Sequence, residues 1–317
     1  MANALNIAVL SGGISHEREV SLRTGRRVAD ALISQGHNVT LIDPDAALFS
    51  RLAELAPDVI WPALHGSSGE DGAVLGLLAA SGYAYVGPTA EAARLAWSKP
   101  VAKTLVSRAG VATAASITLA REAFRELGAG AVLEIISAEL GNHLVVKPAS
   151  GGSAQGVSIV TAADQLPRAM VDAYTYSDVA LIEKFISGTE VAITVVDGGD
   201  GAQALPAVEI VPLDGVYTFE ARYNAGETNF FAPARVNTET AARISETAVA
   251  IHNTLGLGLI SRIDLIVDAD GTPWFLEANS LPGLTETSSA PLAIEASGQE
   301  IGALYSALVH AAIANKR

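Results

Sequence analysis

The chain opens with a pattern that fixes the class of fold it can adopt. A short apolar, β-branched run, Leu5–Leu10, ends at Ser11-Gly12-Gly13, and helical periodicity follows from Ser15 to Gly36. A strand, a glycine turn and a helix in this order open an α/β unit. Strands that alternate with helices predict a parallel, Rossmann-like sheet with ligand groups at the strand carboxyl ends. Further apolar runs of strand length follow at residues 37–42, 58–63 and 84–86.

Beyond residue 96 the pattern changes. A predicted strand, 144–148, leads into the Ser/Gly-rich segment 150–156, and a second strand, 157–160, follows. Strand, glycine loop and strand differ from the strand, glycine loop and helix of a P-loop, and the sequence contains no GxxxxGK[ST] motif. Small residues let backbone N–H groups approach phosphate oxygens, and Lys147 adds positive charge. A flexible surface hairpin is the alternative interpretation.

The irregular, polar and aromatic segment 217–235 predicts a long loop. A loop of that length in a compact protein is typically a functional lid or is disordered. The remaining predicted elements are helices at 99–109, 238–255 and 290–316, and strands at 180–185, 190–196, 207–211, 259–267 and 273–278.

A predicted hairpin carries the strongest chemical signal. Its first strand contains Arg262 and Asp264, and Glu277 and Asn279 stand two apart on its second. Because side chains alternate along a strand, each pair lies on one face, and the turn at 268–271 brings the pairs together. The flanking apolar residues are expected to face the other way; they are Ile263, Leu265, Leu276 and Ala278.

The chemistry of this hairpin admits two interpretations. Two carboxylates and an amide oxygen are the hard ligands that magnesium takes when phosphates complete its octahedron. Arg262 beside them suits an anionic phosphoryl group. Cross-strand ion pairs on a polar outer face are equally compatible with the spacing.

Other candidate residues give weaker signals. Glu183 and Glu190 bracket a Ser187-Gly188 turn and could hold ribose hydroxyls, but solvated glutamates fit as well. Glu17, at a helix start, could bind an ammonium group, or could simply complement the helix dipole, an effect of about 0.3–1 kcal/mol. His65 follows a strand end at the same sheet edge, where a capped turn is the alternative.

Composition narrows the kind of partner. The 317 residues include 34 acidic and 20 basic side chains, for a formal net charge of −14, and no cysteine. A general binder of nucleic acid or anionic membrane needs a basic surface, and disulfides or thiolate metal sites need cysteine. The amino terminus lacks the basic flank of a signal peptide, and no apolar run approaches the roughly 18 residues of a membrane span. We expect a soluble, cytoplasmic protein with no nucleic-acid or membrane partner.

The motifs occur together and in order, and the set resembles the D-alanine–D-alanine ligases of the ATP-grasp superfamily. The stretches that carry the resemblance span nearly the whole chain: GGISHEREVS (12–21), ALHGSSGEDG (63–72), the lysine of AWSKP (96–100), VVKPASGGSAQG (145–156), LIEKFISGTE (181–190), ARYNAGETNFFAPA (221–234), SRIDLIVDADG (261–271) and LEANSLPGLTETS (276–288). The resemblance implies an α/β fold in three parts: an N-terminal Rossmann-like substrate domain (1–96), a central ATP-grasp subdomain (97–184), and a C-terminal ATP-grasp subdomain with the metal site and lid (185–317).

The resemblance also implies a role for each matching residue. Nucleotide contacts fall on Lys99, Lys147, Glu183, Lys184, Phe185, Glu190 and Arg222. Ligands for two Mg²⁺ or Mn²⁺ ions fall on Asp264, Glu277 and Asn279. The groups that bind the substrates or the reacting oxyanion fall on Glu17, His65, Arg262, Gly283 and Ser288. A triad that closes the lid falls on Glu17, Ser153 and Tyr223.

The activity implied is the ATP-dependent joining of two D-alanine molecules for peptidoglycan, and so for the cell wall and cell shape, by a homodimer. Three positions depart from the family pattern: Arg222 replaces a common lysine, Ala154 a common serine, and Ser289 a common bulky apolar residue. A changed acceptor, such as D-serine, a hydroxy acid or an amine, is therefore a second hypothesis. A nucleotide-binding sensor without turnover is a third, which the intact hairpin set disfavours.

Overall fold

The computed structural model describes residues 4–213 and 226–315. The first of its three sheets is parallel, with strand order β2-β1-β3. The bounds of its strands and of the helices around it are β1 (Asn6–Leu10), α1 (Arg18–Ser34), β2 (Asn38–Ile42), α2 (Leu48–Leu55), β3 (Val59–Pro62), α3 (Ala73–Ala80) and α4 (Ala90–Trp97). The alternation of strands and helices is the one that the sequence predicts, since each buried run ends at a turn and the next helix returns the chain to the same sheet edge.

The fourth predicted strand of this sheet, at 84–86, is present only as a single bridge to β3. Tyr85 makes only an isolated parallel bridge to Ile60. The segment lies between Gly82 at φ +75° and Gly87 at φ +146°, and Pro88 follows. These turns leave too little extended chain for a regular ladder.

A four-stranded antiparallel sheet forms the middle of the chain, with order β5-β8-β6-β7. The preceding helix, α5 (Lys99–Arg108), leads to it, and its own elements are β5 (Ser116–Ala120), α6 (Arg121–Leu127), α7 (Ala129–Leu140), β6 (Leu144–Pro148), β7 (Ser158–Val160), α8 (Leu166–Tyr174) and β8 (Val179–Lys184). An apolar core of Leu144, Val146, Met170 and Ile182 lies between this sheet and its helices.

The third sheet has the order β12-β11-β9-β13-β14-β4, with β10 paired to β9. Its elements are β4 (Ala112–Thr113), β9 (Thr189–Val196), β10 (Gln203–Ala204), β11 (Val208–Pro212), β12 (Thr228–Phe231), α9 (Thr238–Leu255), β13 (Ile260–Val267) and β14 (Pro273–Asn279). The predicted loop 217–235 is wrong at β12, where Phe230 pairs with Ile210 of β11. The pattern of that segment is irregular as a whole, and the adjacent aromatic residues Phe230 and Phe231 are the local signal for this strand.

The predicted helix 290–316 is also wrong, because it consists of two helices, α10 (Ser289–Ala296) and α11 (Ile301–Ala314). Gly298 adopts a left-handed conformation with φ +77°, which ends α10. Glu300 then caps α11 by accepting hydrogen bonds from the backbone N–H groups of Gly302 and Ala303. Among the described residues no helix has both the length and the apolar character needed to cross a bilayer.

The last helix packs against the first sheet. Tyr305 of α11 and Trp61 of β3 place their ring centroids 4.9 Å apart, and both side chains are buried. The same apolar core includes residues from the third sheet, such as Val208 and Ile260. The first sheet is therefore covered by elements from the opposite end of the chain.

Candidate active site

The hairpin of β13 and β14 brings the four predicted polar groups together. Arg262 pairs with Asn279 and Asp264 pairs with Glu277 across the antiparallel ladder. Nε and Nη2 of Arg262 donate to the two oxygens of Asp264 at 2.7 and 2.8 Å, and Nδ2 of Asn279 lies 3.3 Å from Oδ2 of Asp264. These groups share one face of the hairpin, as the alternation of side chains predicts.

A β-bulge changes one detail of the predicted hairpin. The register shifts after Asp264, so that Leu265 pairs with Phe275 and Leu276 is the extra residue. Phe275 is buried in the core, and Leu276 lines the cleft beside Glu277. The prediction that Leu276 faces away from the polar set is wrong, because an inserted residue breaks strict alternation.

Lys99 joins this hairpin to the Ser/Gly segment. Its Nζ lies 3.0 Å from Oε2 of Glu277 and donates a hydrogen bond to the carbonyl oxygen of Gly151 at 2.5 Å. The backbone N–H of Lys99 donates to the carbonyl oxygen of Ala149. The amino terminus of α5 therefore ties the segment that follows β6 to the carboxylates of the third sheet.

The candidate metal ligands fit a magnesium or manganese site by their chemistry. Asp264, Glu277 and Asn279 carry hard oxygen donors; Asp264 and Glu277 line one cleft, and Asp264 and Asn279 line the pocket that adjoins it. The part of the chain that the structure describes contains no cluster of three or more histidine or acidic side chains poised as metal ligands. The third member of this set is an amide, so phosphate oxygens would have to complete the coordination.

A cleft of about 460 Å³ separates the middle sheet from the third sheet, a volume typical of a cofactor site. Lys147 and segment 150–155 form one wall, and residues of β11, β13 and β14 form the other. The predicted nucleotide contacts that line it are Lys99, Lys147, Glu183, Lys184, Phe185 and Glu190. The Phe185 ring stacks on His143 with centroids 4.0 Å apart. Apolar walls and a few convergent charges suit a flat base and a phosphate chain.

Glu183 is the most enclosed of these residues. It is 3 % exposed and contacts two lysines, Lys147 at 2.5 Å and Lys103. Burial alone raises the pKa of the Glu183 carboxyl, but Lys147 and Lys103 outweigh that effect and hold the pKa below its ordinary value. Burial lowers the pKa of Lys103, and the nearby charge of Glu183 opposes that decrease. Sequence reasoning missed Lys103; its place one helical turn after Lys99 was the available signal.

The other end of the cleft contains the predicted substrate residues. The hydroxyl of Ser153 donates a hydrogen bond to Oε1 of Glu17, which lies 136 positions away in the chain. Two glycines make room for the Glu17 carboxylate: a Cβ at Gly66 would approach its Oε2 to 2.7 Å, and one at Gly152 would lie 3.3 Å from its Oε1. Ser153 adopts a left-handed conformation with φ +56°, so the loop is bent at the contact.

His65 lies between two partners at this end. Its Nε2 is 2.9 Å from the hydroxyl of Thr24, and its Nδ1 is 3.4 Å from Oε1 of Glu70. Burial raises the pKa of the Glu70 carboxyl, the charge of Glu17 adds to the increase, and His65 opposes it. Glu70 lines the pocket but was not among the predicted residues, although the stretch HGSSGEDG contains it.

The segment before α10 forms the remaining wall. The hydroxyl of Ser288 lies 2.9 Å from that of Thr285 and accepts a hydrogen bond from the Thr285 N–H at 3.0 Å. A Cβ at Gly283 would approach this hydroxyl to 3.0 Å, so the tight turn favours glycine. Ser289 is 6 % exposed and also lines the pocket.

The pocket at this end therefore gathers Glu17, His65, Ser153, Arg262, Gly283 and Ser288. Asp264 and Gly152 line both this pocket and the larger cleft. Two predicted residues, Arg222 and Tyr223, lie outside the described residues.

Comparison with known proteins agrees with this geometry. The family described as "D-ala D-ala ligase C-terminus" matches residues 105–310. The D-alanine–D-alanine ligase of Anaeromyxobacter sp. (strain Fw109-5) is 43% identical over 285 residues, 90% of this chain and 89% of the relative. That of Gloeobacter violaceus is 39% identical over 96% of this chain and 98% of the relative.

Solved structures share the fold. The D-alanine–D-alanine ligase of Bacillus anthracis complexed with ATP superposes with a TM-score of 0.79 at 27% identity, covering 99% of this chain and 98% of that one. The VanG D-Ala:D-Ser ligase of Enterococcus faecalis gives 0.82 at 26% identity, covering 98% and 100%. The fold is thus the ATP-grasp fold preceded by a parallel α/β domain, and the chain belongs to the D-alanine–D-alanine ligase family.

Proposed function

We propose that this chain uses ATP to join two D-alanine molecules through an acyl phosphate, releasing ADP and phosphate, for peptidoglycan precursor synthesis. The observation that carries the proposal is the continuity of the two pockets. Asp264 and Gly152 line both the larger cleft, which suits a nucleotide, and the smaller pocket, which contains a carboxylate and several hydroxyls. A phosphoryl group at their junction can therefore reach a small amino acid.

In the first step, a carboxylate oxygen of D-alanine attacks the γ-phosphorus of ATP, and the bond to the β-phosphate oxygen breaks. Lys99 and Lys147, which both line the larger cleft, balance the charge of the phosphates. Asp264, Glu277 and Asn279 would hold the divalent ions, which supply charge neutralisation when bound. Glu17 holds the ammonium group of this first D-alanine, with Ser153 fixing the carboxylate of Glu17.

In the second step, the amine of another D-alanine attacks the acyl carbon. The amine must be neutral, so its ammonium form loses a proton before attack. Arg262 and the backbone N–H of Gly283 donate hydrogen bonds to the oxyanion of the tetrahedral intermediate. Ser288 binds the carboxylate of the incoming molecule. The nitrogen then loses its extra proton to the departing phosphate or to solvent, and expulsion of phosphate leaves the peptide bond.

The proposal extends to the setting of the reaction. ATP is available in the cytoplasm, and we propose that the enzyme acts there. We also propose that it is a homodimer. The three-part division at residues 96 and 184 stays a proposal, which limited proteolysis with mass identification of the fragments tests.

Product identification is the direct test. Incubation with D-alanine, ATP and Mg²⁺ should give a product with the mass of D-alanyl-D-alanine and one phosphate per dipeptide. L-alanine and omission of the divalent ion serve as controls. Absence of D-alanine-dependent phosphate release under saturating ATP and Mg²⁺ would refute the proposal.

A hydroxylated acceptor such as D-serine is a second candidate. It is favoured by Ser289, a small polar residue that is 6 % exposed and lines the smaller pocket. Its hydroxyl can exchange a hydrogen bond with a hydroxyl on the acceptor. Equal D-alanine and D-serine should therefore give a mixed product, and Ser289→Ala should lower its share. An unchanged ratio in that variant would exclude Ser289 as the determinant.

A further inference from the structure

Glu183 is a buried carboxylate that two lysines share. Its oxygens contact different ammonium groups: Oε1 contacts Lys103, and Oε2 lies 2.5 Å from Nζ of Lys147. Within the described ranges, these lysines are the charged groups that face Glu183, from α5 and β6 respectively. One negative charge is thus matched by two positive charges, which is more than a buried carboxylate requires.

The two lysines differ in what they can reach. Lys147 lines the nucleotide cleft, whereas Lys103 is not among the described residues that line it. Lys103 is 5 % exposed, and its Nζ also donates a hydrogen bond to the carbonyl oxygen of Ala114 at 2.8 Å. Lys147 can therefore exchange Glu183 for a phosphate, while Lys103 is held from two sides where it stands.

Such an exchange would leave Glu183 without a counter-charge if Lys103 were absent. A buried charge that loses its partner is strongly disfavoured. We propose that Lys103 is a positioning residue of the nucleotide site, which keeps Glu183 charged and oriented while Lys147 turns from that carboxylate to the nucleotide phosphates. This inference rests on the nucleotide role proposed for the cleft.

The exchange also couples two contacts of the nucleotide. When Lys147 leaves, Oε2 of Glu183 becomes an acceptor for an N–H or O–H group of the base or sugar. Oε1 remains with Lys103, so the carboxylate cannot rotate away. One movement therefore provides both a cation for phosphate and an acceptor for the rest of the nucleotide.

Replacement of Lys103 by methionine tests the proposal, because methionine keeps a long, unbranched side chain and removes the charge. The KM for ATP and the Kd for ADP should rise tenfold or more, while the KM for D-alanine changes little. Arg108→Met is the matched control, since it removes an exposed positive charge from the same helix. Equal effects of the two substitutions on nucleotide affinity would overturn the proposal.

A double variant separates this role from a general structural one. Glu183→Gln alone weakens nucleotide binding, but it removes the charge that Lys103 is proposed to balance. Adding Lys103→Met to Glu183→Gln should then change the Kd for ADP by less than twofold. If the second substitution costs a further tenfold, Lys103 acts otherwise than through Glu183. This comparison does not require Lys103→Met alone to fold, because neither of its two variants leaves Glu183 charged without Lys103.

Proton uptake gives an independent readout. In Lys103→Met, ADP draws Lys147 away and leaves the buried Glu183 carboxylate without a counter-charge, which raises the pKa of Glu183, so ADP binding should consume protons and weaken as pH rises. The phosphate of ADP titrates in both proteins, so the wild type sets the baseline, and proton uptake and a pH profile identical to those of the wild type would contradict the proposal. ADP binding is measured by titration calorimetry, so the result stands even if the wild type fails to make the dipeptide, which would refute the proposed function alone.

Discussion

At one end of the cleft the polar groups stand on two paired strands, and at the other they stand on loops from distant parts of the chain. Asp264 and Glu277 belong to one hairpin, in which backbone pairing sets their spacing. Glu17 and Ser153 lie in segments that only the tertiary fold brings together. The strand-built end is fixed by local hydrogen bonds, whereas the loop-built end depends on the packing of separate sheets. Substitutions at the strand-built end should therefore lower activity by removing a charge. Substitutions at the loop-built end should lower activity by displacing a side chain.

The largest effect is expected at the strand-built end. Glu277→Gln keeps the shape of the side chain but removes a charge that contacts Lys99 at 3.0 Å and is a candidate metal ligand. We expect kcat to fall by about 1,000-fold, the scale at which a preorganised electrostatic group contributes. The hairpin should remain folded, because its ladder does not involve this carboxylate.

Steady-state kinetics measure the expected loss of kcat, and thermal unfolding measures whether the hairpin remains folded. Glu295→Gln, at an exposed position of α10, is the control. Rates like those of the wild type in Glu277→Gln would remove this residue from the chemistry.

The next effect concerns position at the loop-built end. Gly66→Ala places a Cβ where it would lie 2.7 Å from Oε2 of Glu17, so the flexible carboxylate must shift. A misplacement on the order of 1 Å can cost about 100-fold in rate. We expect kcat/KM for D-alanine to fall by that order while the KM for ATP stays nearly constant.

Gly36→Ala is a matched control for backbone strain. Gly36 also has a positive φ, +87°, and a Cβ there would meet nothing within 4 Å. Both variants should lose similar stability in urea unfolding, and only Gly66→Ala should lose activity. If both lose activity equally, the contact with Glu17 is not the cause.

A smaller loss is expected when the hydrogen bond at that end is removed. Ser153→Ala leaves Glu17 without its donor from segment 150–156. A hydrogen bond to a charged group contributes about 1.5–3 kcal/mol, and the low end of this range corresponds to roughly a tenfold loss in kcat/KM for D-alanine. An unchanged value would mean that Glu17 is held by other contacts, with the KM for ATP as internal control.

The smallest effect is on the pH dependence of the free energy of unfolding. Glu70, at the loop-built end, and His252, behind the hairpin, should change it in opposite directions. Burial raises the folded-state pKa of Glu70 above 4.5, so its contribution to stability is present below pH 4.5 and is lost as pH rises through that folded value. Burial lowers the folded-state pKa of His252, behind the hairpin, below 6.5, so its contribution is present above pH 6.5 and is lost as pH falls.

Urea unfolding as a function of pH measures both slopes. Relative to the wild type, Glu70→Gln should gain stability as pH rises above 4.5, and His252→Gln should gain as pH falls below 6.5. In the wild type Nε2 of His252 donates to the carbonyl oxygen of Gly258 at 3.0 Å, and Nδ1 accepts from the hydroxyl of Ser261 at 2.7 Å. Parallel pH profiles for a variant and the wild type would exclude that residue as the titrating group.

The contrast between the strand-built end and the loop-built end also explains which features the sequence predicts. Period-two spacing predicts the face that Arg262 and Asp264 share, because the geometry of a strand is local. The bulge at Leu276 is not predicted, since it depends on the register between two strands. The break between α10 and α11 had a local signal in Gly298, but apolar periodicity across it outweighed that signal.

The spacing of residues along the sequence does not predict contacts between distant segments. The pairing of Glu17 with Ser153 was available only through the resemblance to a family, which transfers contacts that another sequence has already solved. Lys103 and Glu70 show the limit of that transfer. Lys103 is buried and Glu70 is partly buried, each beside a residue that was predicted, and their positions in the sequence did not single them out.

The packing of α11 on the first sheet has a consequence for biosynthesis. Trp61 and its neighbours leave the ribosome long before Tyr305, which covers them. Until α11 emerges from the ribosome, the amino-terminal sheet of the nascent chain therefore exposes an apolar face, where a chaperone can bind or aggregation can begin.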